Sequence, residues 1–588
     1  MPALTTSATL TPTAGTMKKA SCLWSTNGSD LRIRTSNNME IEVHKVTLQI
    51  ASEIFESMIF QACDEASRHR FSDTSSKVIR DHPFISVEED SASMCELLQY
   101  IYPVANSPIL ALHKLESILD LAYKYKVKVA IQILKRQLVR GTWMTLRPLS
   151  VYSIALRHGM HDVMKEIYPQ LLSLDITPEK TLKGLTEEET KLPVTDLLLI
   201  AKTKVKLYDL LSPKISEVSD RIPQNNWQCR YGCWTRNFST AVLEHVRKKP
   251  STPVDILLFA LDDQRSESEC TCLKNSLDAC ASINKCIIES TQGISLPLKE
   301  HPNPIYTVVD PHVFRYPDAD LTIRSSDSTE FRVFKDILGN ASPVFSDMFL
   351  IGDRHAPMSS SNIDTSVVEL TETGKIIDAL LRYIYPTVRP EFLSFSEALD
   401  VMEAAVKYDV KSAVSVMSND LIVTGLIDED PLMAYLFASK HNLASLKHSA
   451  FGGLIMKDLP NHSNFFQHPK FTDFEPADLQ RIMRCRSEFV TGAIQTIANA
   501  IRAHHACIPR SKQGEGLMGL VWLQSTLIQA VRSGCSFLKL ETVLSTMSSE
   551  FGPFHILPVL QCLAKIRARL VDFEADFRRR LQTESANT

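Results

Sequence analysis

The sequence predicts an α+β chain built twice over, each unit a small mixed α/β module followed by an all-helical domain. Three observations carry that prediction. The stretch Asp30–Ile59, DLRIRTSNNMEIEVHKVTLQIASEIFESMI, is written again as DLTIRSSDSTEFRVFKDILGNASPVFSDMF at Asp320–Phe349. Each copy opens with apolar residues at every second position and then changes to a helical period. Helical patterns with matching residues trail both copies, so the chain divides into two units of roughly 290 residues.

In the first strand Leu31 and Ile33 alternate with Arg32 and Arg34, and in the second Ile41 and Val43 alternate with Glu40 and Glu42. That is a half-buried hairpin. Leu321, Ile323, Phe331 and Val333 repeat it. Ser52 and Ser342 stand where a helix N-cap hydroxyl belongs, with Pro343 suited to the first helical position, so a helix is expected to start there and bury Phe55 and Met58, or Phe345 and Met348. A polar loop, 64–83, precedes a short strand at Phe84–Val87, which matches Val367–Leu370. The spacing between the copies falls from 290 to 283 across this loop, so the first loop is 7 residues longer. Met94, Leu97, Leu98 and Ile101 then mark an amphipathic helix, as do Ile377, Leu380, Leu381 and Ile384. Both end in Tyr-Ile-Tyr-Pro (100–103 and 383–386), where proline turns the preceding residue away from helical angles. A further helix is expected over Leu115–Val127 and Ala398–Val410. Beyond it Pro148, Tyr152, Ala155 and His158 recur as Pro431, Tyr435, Ala438 and His441, and Asp196, Ile200, Lys202 and Lys204 match Asp478, Ile482, Arg484 and Arg486. Between the units, 296–317 holds five prolines and reads as a stiff linker.

The run D-L-x-I-R followed by V-H-K-x-x-L-x-x-A-S-x-x-F (Val43–Phe55) resembles the start of a BTB/POZ domain, an α+β module of protein–protein assembly. The second copy resembles it through Lys335, Leu338, Ala341, Ser342, Pro343 and Phe345, with Phe334 in place of His44. The Y-I-Y-P helices and the L-A-Y-K-Y-K-V-K and A-A-V-K-Y-D-V-K helices continue the likeness, and the trailing helices resemble the BACK-type extensions of many such proteins. The resemblance implies a tail over 1–28, BTB/POZ-like domains at 29–140 and 318–425, and helical extensions at 141–295 and 426–588. It implies self-association, or recruitment of a cullin-type ubiquitin-ligase scaffold as a substrate adaptor; the alternative is a nuclear transcriptional regulator assembled through the same domains. Candidate motif or partner-binding positions are Asp30, His44, Lys45, Ser52, Phe55, Asp320, Lys335, Ser342 and Phe345. Two pairings stay open, copy with copy inside one chain or chain with chain.

Composition excludes other classes. The 588-residue chain is too long for one core, since roughly 150 residues make a domain. A formal net charge of −4 gives no overall attraction to nucleic acid or anionic membrane. Thirteen irregularly spaced cysteines without a C-x-x-C fit a reducing compartment better than a disulfide framework. The first 25 or so residues are hydroxyl-rich and read as a disordered tail, with lysines placed after the apolar residues rather than before them as a signal peptide requires. Gly516–Val531 is too polar for a membrane span. A cytoplasmic or nuclear protein is expected.

No constellation calls for chemistry. Gly514, Gly516 and Gly519 match a dinucleotide fingerprint but follow HHACIPRSKQ instead of a buried strand. Cys229, Cys233, Cys270, Cys272, Cys280 and Cys286 crowd one region with His245, yet C-x3-C and C-x-C are not zinc-knuckle spacings. His44 has no readable nucleophile beside it, and Arg578–Arg580 ends a helix where cations suit the dipole. The expectation is a non-enzymatic scaffold without cofactor or metal.

Overall fold

In this computed structural model the described residues are 18–19, 28–70, 83–102, 104, 109, 111–174, 192–221, 234–255, 272–292, 313–355, 366–456, 474–506, 520–521, 523–528, 531 and 556–586. In chain order the first repeat contains β1 (Lys18–Lys19), β2 (Leu31–Arg34), β3 (Met39–Val43), α1 (Lys45–Ala51), α2 (Glu53–Arg70), β4 (Phe84–Ser86), α3 (Ser91–Leu98), α4 (Leu112–Lys124) and α5 (Lys128–Arg140). Helices α6 (Trp143–Leu146), α7 (Pro148–Arg157), α8 (His161–Ser173), α9 (Val194–Asp220), α10 (Trp234–Lys248) and α11 (Cys272–Gln292) follow. The second repeat has β5 (Leu321–Arg324), β6 (Glu330–Val333), α12 (Lys335–Ala341), α13 (Pro343–His355), β7 (Ser366–Glu369), α14 (Gly374–Ile384), α15 (Phe395–Lys407) and α16 (Lys411–Thr424). It continues through α17 (Pro431–Lys440), α18 (Ala444–Met456), α19 (Pro476–Ala506) and α20 (Ile556–Ala586). The class is α+β, mostly helical with one small mixed sheet in each repeat.

The chain divides into two compact units, one of residues 1–138 with 303–420, the other of 139–302 with 421–588. Each therefore draws on both repeats. In the first unit the sheets have strand orders β1-β3-β2-β4 and β6-β5-β7. The hairpins sit in matching registers, Leu31 opposite Val43 and Leu321 opposite Val333, and β4 and β7 add on parallel to β2 and β5. Leu31, Ile33, Ile41 and Val43, with their counterparts, are buried as the alternation requires, while on the other face Glu40 pairs with Arg32 and Arg34 at 3.2 and 3.1 Å.

Three features depart from the sequence expectation. A short helix, α1 or α12, intervenes between hairpin and long helix in both repeats; seven residues carry too little periodicity to declare themselves. Its first N–H is capped from a distance, Lys45 N donating to Asp30 Oδ1 at 2.8 Å and Lys335 N to Asp320 Oδ1 at 2.9 Å. Second, Ile59 rather than Met58 shares the core with Phe55. Third, Lys18–Lys19, within the stretch expected to be disordered, pairs parallel with Met39–Glu40 of β3. Backbone pairing to an open edge needs no side-chain pattern, which is why composition missed it. The end of the proline-rich 296–317 stretch does the same job in the second repeat: Arg315 bridges Arg332, and Phe314 is buried edge-on to Phe331 and Tyr385. The rest of that stretch, the 71–82 loop and the glycine motif at 514–519 lie outside the described residues.

In the second unit the helices pair as α7 with α8, α17 with α18, α9 with α10 and α11, and α19 with α20. The sequence match of Lys204 with Arg486 has a structural meaning, since both reach back to a preceding helix end: Lys204 to Leu174 O, Arg486 to Leu454 O and Ile455 O. Gly492 lets Phe573 approach so closely that a Cβ would lie 2.6 Å from its ring. The two helical segments touch through α11 and α20, and Arg567 reaches Asp255 at 2.8 Å. Arg140 Nη1 donates to Val423 O at 3.2 Å, a contact between equivalent positions of the two repeats, as a local two-fold relation produces. Among the described residues no helix is long and apolar enough to cross a membrane, and no three His, Cys, Asp or Glu side chains gather as a metal site. Cys280 is buried, its thiol pushed up to about 12 by desolvation, and contacts Val254 O.

Candidate functional site: motif braces and the seam between repeats

The motif residues singled out in the sequence fall into two sets. Ser52 and Phe55, like Ser342 and Phe345, are buried cross-links. Ser52 closes α1, and its Oγ accepts from Ile54 N and Phe55 N at 3.1 Å while donating to Tyr125 O; Ser342 Oγ accepts from Phe345 N at 3.0 Å and donates to Tyr408 O. Phe55 stacks on Tyr125 at 4.8 Å, and Phe345 on Tyr408 at 4.9 Å. Those tyrosines belong to the repeated K-Y pair. Tyr125 donates to Glu89, and Lys124 meets the same carboxylate at 2.6 Å; Tyr408 and Lys407 hold Glu372 likewise. Burial raises the Glu89 and Glu372 pKa values, but the hydrogen bonds from lysine and tyrosine outweigh it and leave both below the usual range. Burial, then the adjacent glutamate, pushes Tyr408 up to about 12 and Tyr125 upward too.

Asp30, Lys45, Asp320 and Lys335 form the α1 and α12 caps described above, and Lys45 Nζ stands 4.0 Å from Asp30. His44 offers its backbone N–H to Tyr102 Oη at 2.9 Å, with Nδ1 3.2 Å from the same hydroxyl. Phe334 makes the equivalent backbone bond to Tyr385 at 2.8 Å, and Tyr316 packs against both rings. The imidazole is thus replaced by a phenyl ring without loss of the joint. The last tyrosine of each Y-I-Y-P motif is what both copies need.

Sequence reasoning missed the residues that join the repeats. Gln132, at the middle of α5, is 5% exposed, and Arg389, four residues beyond Tyr385, is 7% exposed. Gln132 Nε2 donates to Arg389 O at 3.0 Å, and Arg389 N donates to Gln132 Oε1 at 2.8 Å. A side-chain amide here pairs with a backbone peptide as a neighbouring strand would. Arg389's guanidinium turns back into its own repeat, over the Tyr383 ring and 3.5 Å from Asp420, which also accepts from Tyr383 Oη at 3.3 Å. Burial, then Asp420, drives the Tyr383 pKa upward. At the rim Arg136 meets Glu391 at 3.2 Å. Tyr100 of the first repeat lies near enough for Arg389 to act on its titration, which burial and Glu96 push upward. The tongue 387–392 is held in place from behind: Arg382, 1% exposed, grips Asp378 at 2.7 and 3.2 Å and donates to Val388 O at 3.3 Å. A polar residue inside the apolar run V-A-I-Q-I-L was the signal that could have revealed Gln132, since a buried amide demands partners.

A family model for the BTB/POZ domain matches residues 21–141 and 314–424. The chain carries two BTB/POZ domains. These domains are interaction modules, typically non-catalytic, so the braces and the seam are parts of a protein-binding chain. The first match takes in β2 to α5, the second the Phe314 segment to α16. A comparison with curated proteins found no match.

Proposed function

We propose that this chain is a non-enzymatic interaction scaffold in which a pair of BTB/POZ domains, each trailed in sequence by BACK-like helices, recruits partner proteins, and that a cullin-type ubiquitin-ligase scaffold is the partner class. Such an adaptor works in the cytoplasm or nucleus. The observation carrying this reading is that the Ser–Tyr–Glu–Lys brace is complete in both domains, which favours two working modules over one module and a remnant. Each domain also exposes a large apolar residue at the same place on its long helix, Phe60 on α2 and Leu350 on α13. The transcriptional alternative draws little support from the basic end of α20, where Arg578 is paired with Glu574, Arg579 with Asp576, and Arg580 lies over Phe577.

Affinity capture with the full chain, read by mass spectrometry, tests the proposal. A cullin recovered with the wild type and lost on Phe60→Glu or Leu350→Glu, with the far-ultraviolet spectrum unchanged, is the expected result. Absence of any cullin from the wild-type capture overturns the adaptor reading.

A further inference from the structure

We propose that the two BTB/POZ domains recognise each other in one order only, the 387–392 tongue of the second docking on α5 of the first, and that Gln132 determines this specificity. The inference does not depend on which partners the scaffold recruits.

A symmetric pair of like domains would make every contact twice, residue i to j and j to i. The seam cannot do so. The α16 position equivalent to Gln132 is Ser415, whose single short hydroxyl cannot present a separate donor and acceptor to one peptide group. The first-domain positions equivalent to Asp378 and Arg382 are Cys95 in α3 and Gln99 at its C-cap, so the first domain lacks the buried ion pair that shapes the tongue. Two first domains would therefore have the receptor helix without the braced tongue. Two second domains would have the tongue without the receptor amide. Only the unlike pair has both, and each chain carries one of each.

Gln132 and the Arg389 peptide are both buried, so mispairing is penalised beyond the loss of two hydrogen bonds: it strands an N–H and a C=O away from water. That is how a buried polar pair confers register while apolar packing beside it stays permissive. Because the two halves share one polypeptide, each sees the other at high effective concentration, and pairing within the chain prevails over pairing between chains.

Hydrogen–deuterium exchange on the full-length protein tests this. Gln132→Met keeps side-chain length and removes both bonds, and Gln132→Ala is the second variant. In the wild type the 387–392 amides are protected; in both variants they exchange at least tenfold faster, while α14 and β5–β6 amides keep wild-type rates. Arg136→Ala, at the exposed rim, leaves the tongue protected. Tongue amides that exchange freely in the wild type, or at wild-type rates in both Gln132 variants, overturn the proposal. Neither result touches the capture experiment, so the two readings fail separately.

Discussion

Replacing Ser52 by alanine should loosen the first BTB/POZ domain by about 2–3 kcal/mol. The hydroxyl is buried and does two jobs, capping α2 through Phe55 N and satisfying Tyr125 O. Loss of a helix N-cap costs about 1 kcal/mol, and a buried carbonyl left without its donor adds about 1–3 kcal/mol, so the lower half of the combined range is the expectation. Ser342→Ala removes the same two bonds from the second domain and should cost the same. Because a chain of several domains does not unfold in one step, a single melting temperature is the wrong readout. Native-state hydrogen exchange of α2 and α13 amides is the right one, where 2–3 kcal/mol appears as roughly 30- to 150-fold faster exchange. Each substitution should act on its own domain. An effect below about 0.5 kcal/mol in both variants would refute the brace, because it would mean that neither bond contributes to holding helix and tyrosine together.

Other consequences are as concrete. Arg382→Met removes one partner of a buried ion pair; with Asp378 29% exposed and partly rehydrated, the loss should sit near the low end of the usual range, about 3 kcal/mol, and Arg382→Lys should not restore it because the bidentate grip is gone, as native-state hydrogen exchange of the α14 amides would report. Asp327 accepts from Ser325, Gly374 N and Thr329, which hold its carboxyl at about 2. A depressed folded pKa contributes stability above the ordinary value near 3.8 that is lost as pH falls through about 2, so the α14 start should loosen over that window; Asp327→Asn, which copies Asn37 of the first domain, should abolish the dependence in acid-titration exchange. Lys126 and Asp409 hold equivalent left-handed turns at φ 50° and 48°. Glycine at either should stabilise its domain by about 0.5–1 kcal/mol, read as slower native-state exchange of the α5 or α16 amides.

What the sequence disclosed and what it hid follow a physical rule. Leu31, Ile33, Ile41 and Val43 were legible because period-2 burial is written in every copy of the hairpin, and Ser52 and Phe55 because a cap and an apolar helix face have fixed spacing. The joints closed by distant residues were not. Asp30 caps α1 from the start of the neighbouring hairpin strand, and Tyr125 reaches Glu89 across the fold, pairings set by tertiary geometry alone. The differences between the copies that matter at the seam are not the conspicuous ones. His44 against Phe334 is the conspicuous exchange, yet both serve the same tyrosine joint, whereas Gln132 against Ser415 and Arg382 against Gln99 sit in or at the end of helices that read as ordinary scaffold. Glu53 against Pro343 changes only a helix start and a pair of exposed contacts, to Lys126 and Lys128.

Pairing of unlike domains within one polypeptide is tested most directly by multi-angle light scattering of the full-length chain over a wide concentration range, for the wild type and for Gln132→Met. A wild-type mass that stays at 66.1 kDa throughout is the predicted result. A stable wild-type species at twice that mass, which Gln132→Met converts to monomer, would put the seam between chains and contradict it.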